Sequence, residues 1–103
     1  IVGAGFAGIG MARTFLVAGT RDVLVLERAS SVGGTWRDNV YPGVACDVPT
    51  PLYSYSFAPK ADWSNLFAPQ RELRAYLEDC ADRFGVRPLQ QVHPFPPRLI
   101  QFA

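Results

Sequence analysis

The sequence predicts an α/β fold: a strand–helix–strand unit, then a long irregular loop, then one further helix. Three observations predict it. The glycine-rich turn Gly3-Ala4-Gly5-Phe6-Ala7-Gly8 stands between a short apolar start and a helical pattern. The apolar run Val23-Leu24-Val25-Leu26 follows and ends on an acid, Glu27. A second helical pattern runs from about Pro69 to Phe84.

Taken in order, Ile1-Val2 reads as the end of a buried strand. Such strands usually hold about five residues, so further residues are expected upstream. A helix from about Gly8 to Ala18 follows, because Ile9, Ala12, Phe15 and Leu16 recur at helical spacing. Gly19 is its natural stop. Val23 to Leu26 fits a strand covered on both faces, as in a parallel sheet, and the crossover between the two strands should be right-handed. This arrangement is Rossmann-like. From Arg28 to Lys60 the chain is rich in Gly, Pro, Ser and Tyr. An irregular stretch of that length inside a small domain is usually functional; within it, Tyr53 to Phe57 reads as a short strand or an extended segment. In the second helix, Pro69 suits the first turn. Leu73, Tyr76, Leu77, Cys80, Ala81 and Phe84 make one apolar stripe, and Gly85 ends it. Pro88, Pro94, Pro96 and Pro97 are too many for a central strand. Residues 88–103 are therefore set apart as a Pro-rich tail, and residues 1–87 as a partial domain.

The 103 residues amount to one small domain, with 49% hydrophobic and 18% charged residues, ordinary for a globular protein. A net charge of +1 gives no reason to expect nucleic acid or an anionic membrane as partner. The apolar runs are too short to span a bilayer. Cys46 and Cys80 make neither a disulfide framework nor a metal site, which points to a reducing, cytoplasmic setting.

The glycine turn carries chemistry because its context is complete: it follows a strand, opens a helix, and an acid ends the next strand. Gly3 permits the turn, Gly5 allows the backbone to approach a diphosphate, and Gly8 allows helix and strand to pack closely. The amides around Phe6 and Ala7, at the positive end of the helix, face the phosphates. Glu27 accepts hydrogen bonds from adenosine ribose hydroxyls and repels a 2′-phosphate, so the site should prefer FAD or NAD over NADP. An NAD dehydrogenase would satisfy these features equally.

The next segments separate the alternatives. Glu27 through Gly33-Gly34-Thr35-Trp36, then Asn39 through Tyr41-Pro42-Gly43 to Cys46-Asp47, then Leu52-Tyr53 to Phe57, resemble the class B flavoprotein monooxygenases, and within them the Baeyer–Villiger monooxygenases. The resemblance covers nearly all of residues 1–87. It implies that the stretch from Gly34, Thr35 and Trp36 to Asp38 lines FAD and that Tyr53 contacts it. It implies that Asp47 is an active-site acid beside the flavin and the nicotinamide, and that Ala45 and Cys46 pass the nicotinamide cofactor. Read without the resemblance, Trp36 serves equally as a core plug, Asp47 reads as a turn or capping residue in preference to a catalytic one, and the tyrosines read as packing over the loop.

The activity implied is oxidation of NADPH by FAD, uptake of O2, and insertion of one oxygen beside a small-molecule ketone. The family's partner arginine for Asp47, its NADPH-binding domain and its linker signature are not found in these residues. The 103 residues alone are therefore expected to be inactive as an oxygenase. An N- or S-oxygenating flavin enzyme, and a non-catalytic remnant, stand as the alternatives.

Overall fold

A computed structural model describes residues 1–92. His93 and the expected break at Pro94, Pro96 and Pro97 lie outside the described residues. Helix α1 spans Phe6–Val17, strand β1 Val25–Glu27, helix α2 Thr35–Asp38, helix α3 Gln70–Arg83 and strand β2 Gln90–Val92. Two 3-10 turns lie at Thr50–Leu52 and Arg87–Leu89.

β1 is the middle of the small parallel sheet. On one edge the Leu26 amide donates to the Ile1 carbonyl and the Gly3 amide donates to the Leu26 carbonyl, both at 2.8 Å. Val2 thereby forms a parallel bridge with Leu26. Backbone groups of successive strand residues point to opposite edges, which leaves the other edge for β2. There Val25 stands opposite Gln90 and Glu27 opposite Val92, again in parallel.

Several expectations are corrected in detail. α1 starts at Phe6 rather than Gly8, because the Ile9 amide closes the first turn on the Gly5 carbonyl at 3.0 Å. Val23 and Leu24 lie outside the strand; the ladder with β2 begins only at Val25, and Leu24 stays 43% exposed. Phe15, assigned to the packed face of α1, is also exposed. Pro69 caps α3 from extended backbone instead of joining its first turn; its carbonyl accepts the Glu72 and Leu73 amides. Tyr53 to Phe57 is turn rather than strand, with the Ala58 amide closing back on the Tyr55 carbonyl at 3.1 Å. Within the stretch set apart as a Pro-rich tail, Gln90–Val92 forms a short strand beside β1, in the gap between Pro88 and the later prolines.

The core forms where α3 meets α1, α2 and the sheet. Leu73, Tyr76, Leu77, Cys80 and Ala81 of the α3 stripe are buried, together with Ile9 and Ala12 of α1, Val25, Val32, Trp36 and Val86. Removing a side chain such as Leu73 or Leu77 from water contributes about 1.5–3 kcal/mol. The long loop is held down by polar contacts rather than by regular structure. Thr50, wholly buried, donates its hydroxyl to the Leu66 carbonyl at 2.9 Å and accepts the Ala68 amide at 2.8 Å. Tyr76 donates to the Ala58 carbonyl at 2.7 Å and accepts the Tyr55 amide at 2.9 Å.

Candidate dinucleotide-binding site

The mouth of α1 opens into a cleft of about 350 Å³, within the usual range of small-molecule sites. Its walls come from three places. The glycine turn supplies Gly3, Gly5, Phe6, Ala7 and Gly8; β1 supplies Glu27 and then Arg28; the segment around α2 supplies Gly33, Gly34, Thr35, Trp36, Arg37 and Asp38, with Tyr53 closing one side. Every residue that the sequence nominates for FAD binding lines this cleft except Asp47; Ala45 and Cys46, nominated to pass the nicotinamide cofactor, also lie outside it. Asp47 stands exposed on the loop, outside the cleft walls.

Two glycines fix the shape. A Cβ on Gly8 would lie 1.8 Å from the Gly3 carbonyl oxygen, so only a residue without a side chain lets α1 sit this close to the turn. Gly34 has φ +54°, and a Cβ there would come within 3.1 Å of Gly5 Cα. The backbone of the α2 segment therefore rests directly against the glycine turn. The Gly33 amide ties the two together by donating to the Ala4 carbonyl at 2.9 Å.

At the mouth itself, α1 has no side-chain cap and no acid in its first turn. Its first amides have no acceptor within the helix, and the dipole leaves that end positive. An anion is the natural complement. Beside it lies the carboxylate of Glu27, only 5% exposed. Its Oε2 accepts the Ala4 amide at 2.8 Å and its Oε1 accepts the Ala29 amide at 2.9 Å. Arg37 Nη1 stands 3.5 Å from Oε1. Sequence reasoning placed Arg37 only within a cofactor-lining stretch and gave it no partner; a charge in a Gly-rich loop carries no local sign of whom it meets.

The aromatic wall is continuous. Phe6 meets Tyr53 edge-on at 5.0 Å, and Tyr53 meets Trp36 edge-on at 5.8 Å. Trp36 is both core and cleft lining: it is buried, and its indole N–H donates to the Tyr53 hydroxyl at 3.2 Å. Gln70, at the start of α3, donates its amide to the Trp36 carbonyl and so anchors α2 from behind. Behind Phe6, Tyr55 donates to the Phe6 carbonyl, which links the loop to the turn. Burial pushes the Tyr55 phenol above its ordinary value and the Tyr76 phenol up to about 12, so both remain neutral donors.

An uncapped helix mouth, a buried carboxylate beside it and a glycine-lined backbone contact define a dinucleotide-binding α/β domain. The chain belongs to the family of NAD(P)-binding Rossmann-like domains, which it matches over residues 1–79. It is 58% identical over 88 residues to a Baeyer-Villiger monooxygenase of Streptomyces coelicolor, covering 85% of this chain and 17% of that protein. Among solved structures it is similar to an oxidized steroid monooxygenase bound to NADP, with a TM-score of 0.82 and 45% identity over 88% of this chain and 18% of the other. It is also similar to a protein named OTEMO in complex with FAD and NADP, with a TM-score of 0.81 and 37% identity over 88% of this chain and 18% of the other. The chain thus spans about a sixth of the length of these relatives. No helix among the described residues is long and apolar enough to cross a membrane.

Proposed function

We propose that this chain is the FAD-binding portion of a flavin monooxygenase of Baeyer–Villiger type, which uses NADPH and O2 to insert oxygen beside a ketone. The observation that carries the reading is the meeting, in one cleft, of the α1 mouth, the Glu27 carboxylate and the Gly34–Trp36 wall. The names of the relatives support the same reading: Baeyer-Villiger monooxygenase, and structures with FAD and NADP. Bound FAD would supply the hydride-accepting and oxygen-activating chemistry.

The chain's own residues bind and orient. The amides from Gly5 to Gly8 hold the diphosphate. Glu27 accepts a ribose hydroxyl. Thr35, Trp36 and Tyr53 line the path beyond, with Trp36 fixed by its bond to Tyr53. Asp47 is assigned an active-site role on the motif from Tyr41 to Asp47; it would act with groups outside these residues. Two buried cysteines without a disulfide, Cys46 and Cys80, accord with a reducing cytoplasm.

The test is fluorescence titration of the purified chain with FAD and with FMN, which lacks the adenosine. FAD should bind and FMN should bind at least about tenfold more weakly, the equivalent of one charge-assisted hydrogen bond. Equal binding of the two, or binding of neither, would overturn the reading. The chain alone should not oxidise NADPH in response to a ketone.

A further inference from the structure

We infer that Arg37 is a positioning residue: it fixes the Glu27 carboxylate so that the cleft reads the adenosine 2′-hydroxyl. This deepens the proposed function and rests on it. The Glu27 carboxylate is held at both ends. Oε2 faces the glycine turn through the Ala4 amide at 2.8 Å; Oε1 faces the Ala29 amide at 2.9 Å and Arg37 Nη1 at 3.5 Å. The side chains of Glu27 and Arg37 are 7% and 12% exposed. A carboxylate taken this far from water needs a compensating charge, and Arg37 is the cation paired with it among the described residues.

Arg37 is itself immobilised. Nη1 donates to the Ser31 carbonyl at 2.6 Å, and Nε donates to Asp38 Oδ1 at 2.9 Å, with Nη2 2.8 Å from the same oxygen. The planar fork is thus engaged on three sides. It is committed to Glu27, Ser31 and Asp38, and so it does not serve as a clamp for a 2′-phosphate. Its effect reaches the ligand through Glu27. With Oε1 occupied by Ala29 and Arg37, the acceptor capacity left for a sugar lies mainly on Oε2, beside the α1 mouth. Loss of Arg37 would remove the charge that steadies Oε1 and leave the carboxylate to the two backbone amides alone, so the hydroxyl would meet a less firmly fixed acceptor.

The experiment is calorimetric titration of the full 103-residue chain with ADP and with 2′-deoxy-ADP, for wild type, Arg37→Gln, Arg37→Lys, Glu27→Gln and the Glu27→Gln/Arg37→Gln double variant. Wild type should favour ADP by about tenfold. Arg37→Gln should reduce that preference to within about twofold, Glu27→Gln should do the same, and the double variant should lose no more than either. Arg37→Lys keeps the charge but not the fork and should retain an intermediate preference; if Arg37→Gln does not fold, this variant decides. A variant at Arg37 that weakens both nucleotides equally, leaving the preference intact, would overturn the inference while leaving the dinucleotide reading standing. Wild type that binds neither nucleotide would overturn that reading and this inference with it.

Discussion

Replacing Gly8 by alanine is the sharpest perturbation of the packing that builds the cleft. The added Cβ would sit 1.8 Å from the Gly3 carbonyl oxygen, whereas ordinary contacts begin at 3.4 Å. α1 would have to withdraw from the turn by about 1.6 Å, because the obstacle is backbone and cannot rotate away. Withdrawal loosens Ile9 and Ala12, both wholly buried. Overpacking of this kind costs about 1–3 kcal/mol and sometimes more. The higher helix propensity of alanine returns at most about 1 kcal/mol. Because the obstacle is backbone, the cost falls at the upper end of that range, and a net loss of about 2 kcal/mol should result, a large share of the 5–15 kcal/mol typical of a domain. Urea denaturation followed by circular dichroism would read it as a fall of about 1–2 M in midpoint. Gly10→Ala is the control. Its Cβ would meet the Tyr55 ring at 3.0 Å, about 0.4 Å short of ordinary contact against about 1.6 Å at Gly8, and with a ring edge in place of backbone. That variant should stay within about 1 kcal/mol of wild type. A Gly8→Ala midpoint equal to that of wild type would show that the missing Cβ does not set the approach of α1 to the turn.

Other expectations follow from the same contacts. Tyr76→Phe removes the acceptor of the Tyr55 amide and the donor to the Ala58 carbonyl; stability should fall by about 1–3 kcal/mol, and an unchanged denaturation midpoint would count against it. Leu77→Ala, in the centre of the α3 stripe, should cost about 2–5 kcal/mol by the same measurement. Burial holds the Tyr76 phenol at about 12 against an ordinary 10.0, and Tyr55 shifts in the same direction. The neutral phenol is thus favoured by folding, so this stability is present in full below about pH 10 and is lost as pH rises beyond it. Denaturation midpoints at about pH 8 and pH 11 should show that fall; equal midpoints would contradict the assignment.

The parts of the fold legible in the sequence are those set by local chemistry. The glycine turn announces itself because Gly8 must lack a Cβ, and the α3 stripe because its period matches the helix. Glu27 is visible from its place at the end of an apolar run. What stayed hidden depends on distant partners. β2 is Gln-Gln-Val, polar in composition and short, and only its pairing with β1 makes it a strand. α2, inside the Gly-rich stretch, is held by Gln70 from a helix more than thirty residues on. Arg37 resembles any solvated loop charge until the fold lays it on Glu27. Asp47 is the reverse case: its motif nominates it, yet it stands exposed outside the cleft walls.

If the chain binds as proposed, an adenosine diphosphate rests on the amides that open α1, with its sugar on Glu27. Titrating the isotope-labelled chain with ADP and following each backbone amide by NMR tests it directly. The largest shifts are expected at Ala4, Gly5, Phe6, Ala7 and Gly8, all diminished in Glu27→Gln. Shifts confined instead to residues away from the α1 mouth, around Tyr41 to Ala45 and Arg71, would point to binding elsewhere and contradict that placement.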